Sequence, residues 1–206
     1  MKIVAIISQK GGVSKTTLSI HLAVMAQMQG KQAAIVDLDP QASATQWKDI
    51  RAADTPAVVS AQAARLPQVL ESARSAGADI VILDTAPHSD GIAVAAARVA
   101  DLILIPTKCG ILDLQAVANS ADIVSIANKP AAIVLSAVPV RGQTAEQARE
   151  ALQSLGLEIC PLTTGDRAAY RNSLVLGLTA QEYEPNGKAA EEIKELYKWI
   201  CNKVIL

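Results

Sequence analysis

The sequence predicts a single-domain α/β protein, residues 1–206, whose mainly parallel twisted sheet is flanked by helices. Three observations carry this expectation. Short apolar runs without polar alternation recur, as in Ile3-Val4-Ala5-Ile6-Ile7, Ala33-Ala34-Ile35-Val36 and Ile80-Val81-Ile82-Leu83. That is the pattern of strands buried on both faces. Between them lie stretches with apolar residues three and four apart, closed by Gly30, Gly77 and Gly156. Finally, 50% of the residues are hydrophobic while only 2% are aromatic and Phe is absent, so the core must be built from Ala, Val, Ile and Leu. Small and branched side chains suit a parallel sheet under alanine-rich helices.

Taken in chain order, the first strand is expected over 2–8 and the first helix over 15–29. Between them lies Gln9-Lys10-Gly11-Gly12-Val13-Ser14-Lys15-Thr16-Thr17. A strand, two glycines, Lys-Thr and a helix form a phosphate-binding arrangement: Gly11 and Gly12 let successive N–H groups converge on one concavity, and the helix N-terminus adds its dipole. Lys15 supplies charge to the β/γ-phosphates, the Thr16 hydroxyl is placed for a Mg²⁺ that bridges them, and Thr17 is placed to donate to the α-phosphate. The strict segment reads G-x-x-x-x-G-K-[ST]. Here Gln9 stands for the first glycine, Ser14 for the second, and Lys10 is an extra lysine.

The second strand, 32–37, ends in Asp37-Leu38-Asp39-Pro40-Gln41, and the segment 42–51 reads as a helix. A strand at 57–60 and a helix at 63–76 follow. The strand 79–84 ends in Asp84-Thr85-Ala86-Pro87, a carboxylate at the place where an open α/β sheet puts its ligands. Such a carboxylate holds hydrated Mg²⁺ from the side opposite Thr16, so Thr16, Asp37 and Asp84 are the candidate metal residues. The remaining elements are helices 90–99, 112–128, 143–155, 166–176 and 187–203, with strands 101–106, 131–137 and 157–160. No repeat, low-complexity tract or linker divides the chain.

Lys10-Gly11-Gly12-Val13-Ser14-Lys15-Thr16-Thr17, Asp37-Leu38-Asp39-Pro40-Gln41, Ile82-Leu83-Asp84-Thr85-Ala86-Pro87 and Leu104-Ile105-Pro106 together resemble the deviant Walker A ATPases of the ParA/MinD type. The nearest resemblance is to the small ParA proteins that partition plasmids. It implies a deviant P-loop fold, ATP and Mg²⁺ as ligands, and an ATP-sandwiched homodimer. Lys10 resembles the signature lysine that reaches the phosphates of the other subunit, Asp39 the aspartate that positions the attacking water, and Asp37 a partner that shapes the metal and phosphate site. Lys10, Lys15 and Asp39 are therefore the catalytic candidates. Lys10, Gly11, Gly12, Val13, Ser14, Lys15, Thr16 and Thr17 are the nucleotide-binding ones. Family members often present an asparagine for adenine where this chain has Ser136, so Pro139 and Arg141 stand as the adenine candidates. The resemblance also implies slow hydrolysis stimulated by a cargo-bound ParB-like adaptor, nonspecific DNA as a partner, and a cytoplasmic, nucleoid-associated protein.

Ser14 is the chief departure. If its position requires positive φ, serine costs roughly 1 kcal/mol or more, and its Cβ crowds the phosphates. Attenuated rather than absent nucleotide binding is the expectation, with the serine hydroxyl itself a donor that a phosphate oxygen can use.

A net charge of −1 argues against a dedicated tight nucleic-acid binder but not against a local basic patch. ParA-like proteins bind DNA through basic residues late in the chain, which makes Arg167, Arg171, Lys194 and Lys198 the DNA candidates. An equally weighted alternative is a solvated face of mixed charge, because 187–203 carries as many glutamates as lysines. Cys109, Cys160 and Cys201 are too far apart for a metal or cluster pattern and read as reduced structural thiols, which sets aside an iron-sulfur reductase. No export signal or stretch of ~18 apolar residues is present. A MinD-like membrane-surface protein would need an exposed amphipathic tail; Tyr197–Leu206 has few cations and is expected to pack instead. Asp113 reads as an interface residue or a helix-initiating carboxylate, His88 as a residue near the expected γ-phosphate end or a solvated loop histidine, and His21 as packing or surface.

Overall fold

The structure is a computed structural model describing residues 1–206. Its elements are β1 (Lys2–Ile6), α1 (Lys15–Met28), β2 (Ala33–Asp37), α2 (Ser43–Ile50), β3 (Ala57–Ser60), α3 (Leu66–Ser75), β4 (Ile80–Asp84), α4 (Asp90–Val99), β5 (Leu102–Thr107), α5 (Ile111–Ala127), β6 (Ala131–Val138), α6 (Thr144–Leu152), β7 (Glu158–Gly165), α7 (Ala168–Val175), α8 (Ala180–Tyr183) and α9 (Lys188–Val204). The seven strands form one sheet in the order β3-β2-β4-β1-β5-β6-β7, and every pairing is parallel.

Alternate residues of the central strands feed the two faces of the sheet. Val4 and Ile6 face α1, α2, α7 and α9, together with Trp47, Tyr170, Ile193 and Ile200. Ile3, Ala5 and Ile7 face α3 to α6, where Ala93, Ala96, Val117 and Ile123 close the second layer. Each fully buried Ile or Leu contributes roughly 1.5–3 kcal/mol. The second layer holds no aromatic, and α4 approaches the sheet there on alanines, while Trp47, Tyr170 and Tyr197 pack in the first.

Two expectations need correction at the C-terminal third. β7 runs to Gly165 rather than ending at 160. Pro161 reads as a strand breaker, yet β7 pairs only with β6 and is an edge strand, where a missing N–H is tolerated. The short helix α8 was not anticipated, although its signal is present. Thr179 and Glu182 form a reciprocal capping box, with the Thr179 hydroxyl and N–H both bonded to the Glu182 carboxylate at 2.9 and 2.8 Å.

The turn before α8 is fitted closely to α2. Gly177 has φ +69°, and a Cβ there would lie 2.8 Å from Arg51 Cα and 2.9 Å from Arg51 N. Both are backbone atoms that cannot rotate away. Gly177→Ala is therefore expected to cost about 2 kcal/mol or more. A lower urea midpoint at unchanged slope is the expected measurement, and a wild-type midpoint would refute it.

Candidate functional site

The C-terminal ends of β1, β2 and β4 lie side by side: Ile6 pairs with Asp84, and Asp84 with Asp37. The loop leaving β1 and the carboxylates closing β2 and β4 therefore meet by strand register alone. Gly11, Gly12, Ser14, Lys15, Thr16, Thr17, Asp39, Gln41, Ser43 and Pro87 line a hollow of about 340 Å³ with no hydrophobic side chain. A polar cradle at a helix N-terminus suits an anion. Gly12 has φ +72° with open space where a Cβ would stand, so the backbone itself can approach a ligand.

Ser14 adopts φ 73°, ψ 23°, the left-handed conformation that its predicted cost assumed. The loop around it is held from three sides. Gln9 donates through Nε2 to Asp90 at 2.7 Å and through its N–H to the Ser120 hydroxyl at 3.3 Å. Ser136, fully buried, donates to the Val13 carbonyl at 2.9 Å and lies 3.2 Å from that of Thr107. Ser136 thus fastens the loop to the sheet, a positioning role that the sequence did not suggest.

Lys15 is buried and its Nζ donates to the Lys10 carbonyl at 3.1 Å. Burial pulls its ammonium below the usual lysine range, while Asp84 and Asp39 hold it up. Lys10 points elsewhere: its Nζ lies 2.6 Å from Asp113 at the first turn of α5, partly open to solvent. The extra lysine is thus turned away from the cradle and held by an ion pair in a neighbouring hollow lined also by Gln9, His88 and Asp90. A carboxylate at a helix N-terminus also favours the dipole, which is the helix-initiating reading of Asp113.

The three aspartates differ in what they have left to give. Asp37 is fully buried and its oxygens accept from the Asp39 N–H at 3.2 Å and from the Thr45 N–H and hydroxyl at 3.0 and 3.1 Å. These bonds hold the loop 38–42 and the start of α2, so both Asp37 oxygens already have partners within the chain. Asp84 is also fully buried; Oδ1 accepts from Ser19 at 3.0 Å while Oδ2 has no partner. Burial pushes its carboxyl up to about 7, with the Thr16 hydroxyl opposing this and the neighbouring Asp37 adding to it. An orphaned buried oxygen beside a threonine hydroxyl fits a cation. No three His, Cys, Asp or Glu side chains converge into a cage, and Mg²⁺ that keeps water and phosphate oxygens in its shell requires none. Asp39 alone is both partly exposed and part of the cradle, with Oδ1 accepting the Gln41 N–H at 2.9 Å.

A second hollow of about 400 Å³ adjoins the first, sharing Gly12, Ser14 and Thr17 and walled by Ala137, Thr164, Gly165, Asp166, Tyr170 and Arg171. Pro139 and Arg141 do not line it; they are exposed on the loop after β6. The wall of this hollow comes from the end of β7 and from α7, which could not be placed without the extended edge strand.

The DNA candidates separate. Arg167 donates to Glu192 at 2.7 Å from Nε and 2.6 Å from Nη2, and the same carboxylate accepts from the Gly165 N–H and the Tyr170 hydroxyl. Arg167 is thus engaged in a partly exposed structural pair. Arg171 pairs with Asp166 at 2.6 Å in an exposed geometry that solvent weakens. Lys194 and Lys198 are exposed one turn apart on α9 with no carboxylate partner.

Residues 4–203 match the family described as CobQ/CobB/MinD/ParA nucleotide binding domain. The chain belongs to this family. It is 28% identical over 210 residues to maintenance of carboxysome distribution protein A of Halothiobacillus neapolitanus, covering 98% of this chain and 95% of that protein. It is 31% identical over 145 residues to the chromosome-partitioning ATPase Soj of Thermus thermophilus, covering 56% of this chain and 58% of that protein. Its fold is similar to that of the septum site-determining protein MinD of Pyrococcus horikoshii complexed with Mg-ADP, with a TM-score of 0.77 at 17% identity over 97% of this chain and 95% of the other. The family includes P-loop ATPases, and this chain has their seven-stranded parallel sheet.

Proposed function

We propose that the protein is an ATP-dependent partitioning switch: ATP favours a sandwich homodimer that holds nonspecific DNA, and slow hydrolysis, stimulated by a cargo-bound ParB-like adaptor, releases it. The observation that carries this reading is the position of Lys10. It immediately precedes Gly11 of a cradle whose own charge comes from Lys15, yet its Nζ is turned to Asp113 and is partly exposed in a neighbouring hollow beside Gln9, His88 and Asp90. A second subunit offering its phosphates there exchanges the carboxylate for a more highly charged partner.

In this reading the loop N–H groups and Lys15 bind the β- and γ-phosphates, and the adjoining hollow takes the sugar and base. Asp39 orients the attacking water. Thr16 and Asp84 hold Mg²⁺, which when bound neutralises charge on the phosphate oxygens. Lys15, held by the loop, and Lys10, once it has exchanged Asp113 for the other subunit's phosphates, together stabilise the charge that develops on transfer.

Cargo follows from the partner rather than from this chain. The Halothiobacillus relative maintains carboxysome distribution, so a protein assembly is a cargo class beside plasmids. A membrane-surface role is less well supported. Ala189, Ala190, Ile193, Leu196, Tyr197, Ile200 and Val204 of α9 are buried in the core, leaving no free apolar face there. No helix is long and apolar enough to cross a membrane. A cytoplasmic, nucleoid-associated location fits these features.

Fluorescence anisotropy with nonspecific duplex DNA tests the reading. With ATP·Mg²⁺ the DNA affinity is expected to fall steeply with added salt, and reversing Lys194 and Lys198 to glutamate to flatten that slope by about one to two units. DNA binding that ignores ATP, or a slope unchanged in the double variant, would overturn the assignment. Sedimentation with anionic lipid vesicles and ATP is expected to leave the protein in the supernatant.

A further inference from the structure

Ser14 combines three properties that are hard to reconcile with a tolerated imperfection. It is in the left-handed region at φ 73°, where a residue with a Cβ is strained by roughly 1–2 kcal/mol and where glycine would be at ease. Such strain persists mainly at functional sites. It opens α1, yet its hydroxyl makes no capping bond to the helix and no other hydrogen bond within the chain, unlike an ordinary N-cap serine in the β region. It also lies where the phosphate cradle meets the adjoining hollow, lining both. The nearby Ser19 and Ser136 hydroxyls, by contrast, are engaged with the protein.

We infer that the Ser14 hydroxyl is a nucleotide-affinity element: it donates to an oxygen of the phosphate nearest the sugar, at the junction of the two hollows. The inference rests on the nucleotide reading above. A glycine would supply the same backbone turn without strain, so the hydroxyl is what serine adds. Its freedom from intrachain bonds leaves the donor available, and the left-handed backbone leaves the first N–H groups of α1 unclaimed by it. Strain in the free protein is then offset by a charge-assisted bond in the complex.

The test is calorimetric titration of ADP·Mg²⁺ into wild type, Ser14→Ala and Ser14→Gly, with thermal melts of each. Ser14→Ala keeps the Cβ and its strain and removes only the hydroxyl. It is expected to bind about tenfold more weakly, equal to about 1.4 kcal/mol, with an unchanged melting temperature. Ser14→Gly is expected to melt higher, because the strain is gone, yet to bind no more tightly than wild type. Alanine binding as tightly as wild type, or glycine binding more tightly, would overturn the serine assignment while leaving the nucleotide site intact. Wild type failing to bind ADP·Mg²⁺ at all would overturn the nucleotide site itself, and the serine assignment with it.

Discussion

Replacing Asp39 with alanine is expected to lower ATP turnover by at least ~100-fold while leaving ATP affinity within about threefold of wild type. The separation follows from how the three carboxylates are used. Asp37 is consumed by the Asp39 N–H and by Thr45, and Asp84 is buried beside Thr16 and Ser19. Only Asp39 presents a carboxylate to the cradle from a loop that the other bonds hold in place. Removing it takes away the group that orients water in the transition state but no contact to bound phosphates, which is the signature of a loss confined to the chemical step. Asp37→Asn should behave differently, lowering the melting temperature because it weakens the start of α2. Single-turnover hydrolysis beside equilibrium binding distinguishes the two. Equal losses of affinity and turnover for Asp39→Ala would show that Asp39 binds rather than catalyses.

That distinction was only partly legible in the sequence. Strand ends carrying Asp37, Asp39 and Asp84 placed all three at one crevice, because apolar runs of fixed length leave little freedom in where a buried strand stops. The residue type says nothing, however, of which oxygens are already occupied. This depends on Thr45, eight residues beyond Asp37, folding back to it. The phosphate loop was legible for a related reason, since glycines, lysine and threonine are local and chemically specific. The wall of the adjoining hollow was not, because it required β7 to continue past Pro161 and α7 to be placed over it. Ser136 failed in a third way: a serine in a strand looks like any other until the carbonyl of Val13 is found 2.9 Å away. Contacts separated by more than a hundred residues leave no trace in spacing or periodicity.

His21 shows what such a long-range contact does to stability. It is fully buried on α1, its Nδ1 lies 2.7 Å from the Thr17 carbonyl, and its Nε2 accepts the Ala180 N–H at 3.0 Å. The second bond requires an unprotonated Nε2, so the ring is neutral with its proton on Nδ1, donating to Thr17. Gln181 adds a bond to the His21 carbonyl at 2.7 Å, and the Tyr170 ring meets the imidazole edge-on at 5.1 Å. α1, which begins at the phosphate loop, is thereby joined to α8. Burial lowers the imidazole from its ordinary 6.5 to about 4, only partly countered by the Thr17 carbonyl and the charge of Glu182. Above pH 6.5 neither folded nor unfolded chain holds this proton and His21 contributes no pH dependence. Between 6.5 and about 4 the unfolded chain takes it up and the folded one does not, so stability falls as the pH falls, by about 3 kcal/mol in total. For a chain of this size that is roughly 6–12 °C in melting temperature. Carboxylates titrate over part of the same range, so the informative quantity is the difference between wild type and His21→Gln. The glutamine variant should be less stable at pH 7.5, having lost a fitted ring, and should lose stability less steeply on acidification, by close to one proton. Parallel curves for the two proteins would mean that His21 already carries its proton when folded, which the acceptor role of Nε2 toward Ala180 does not allow.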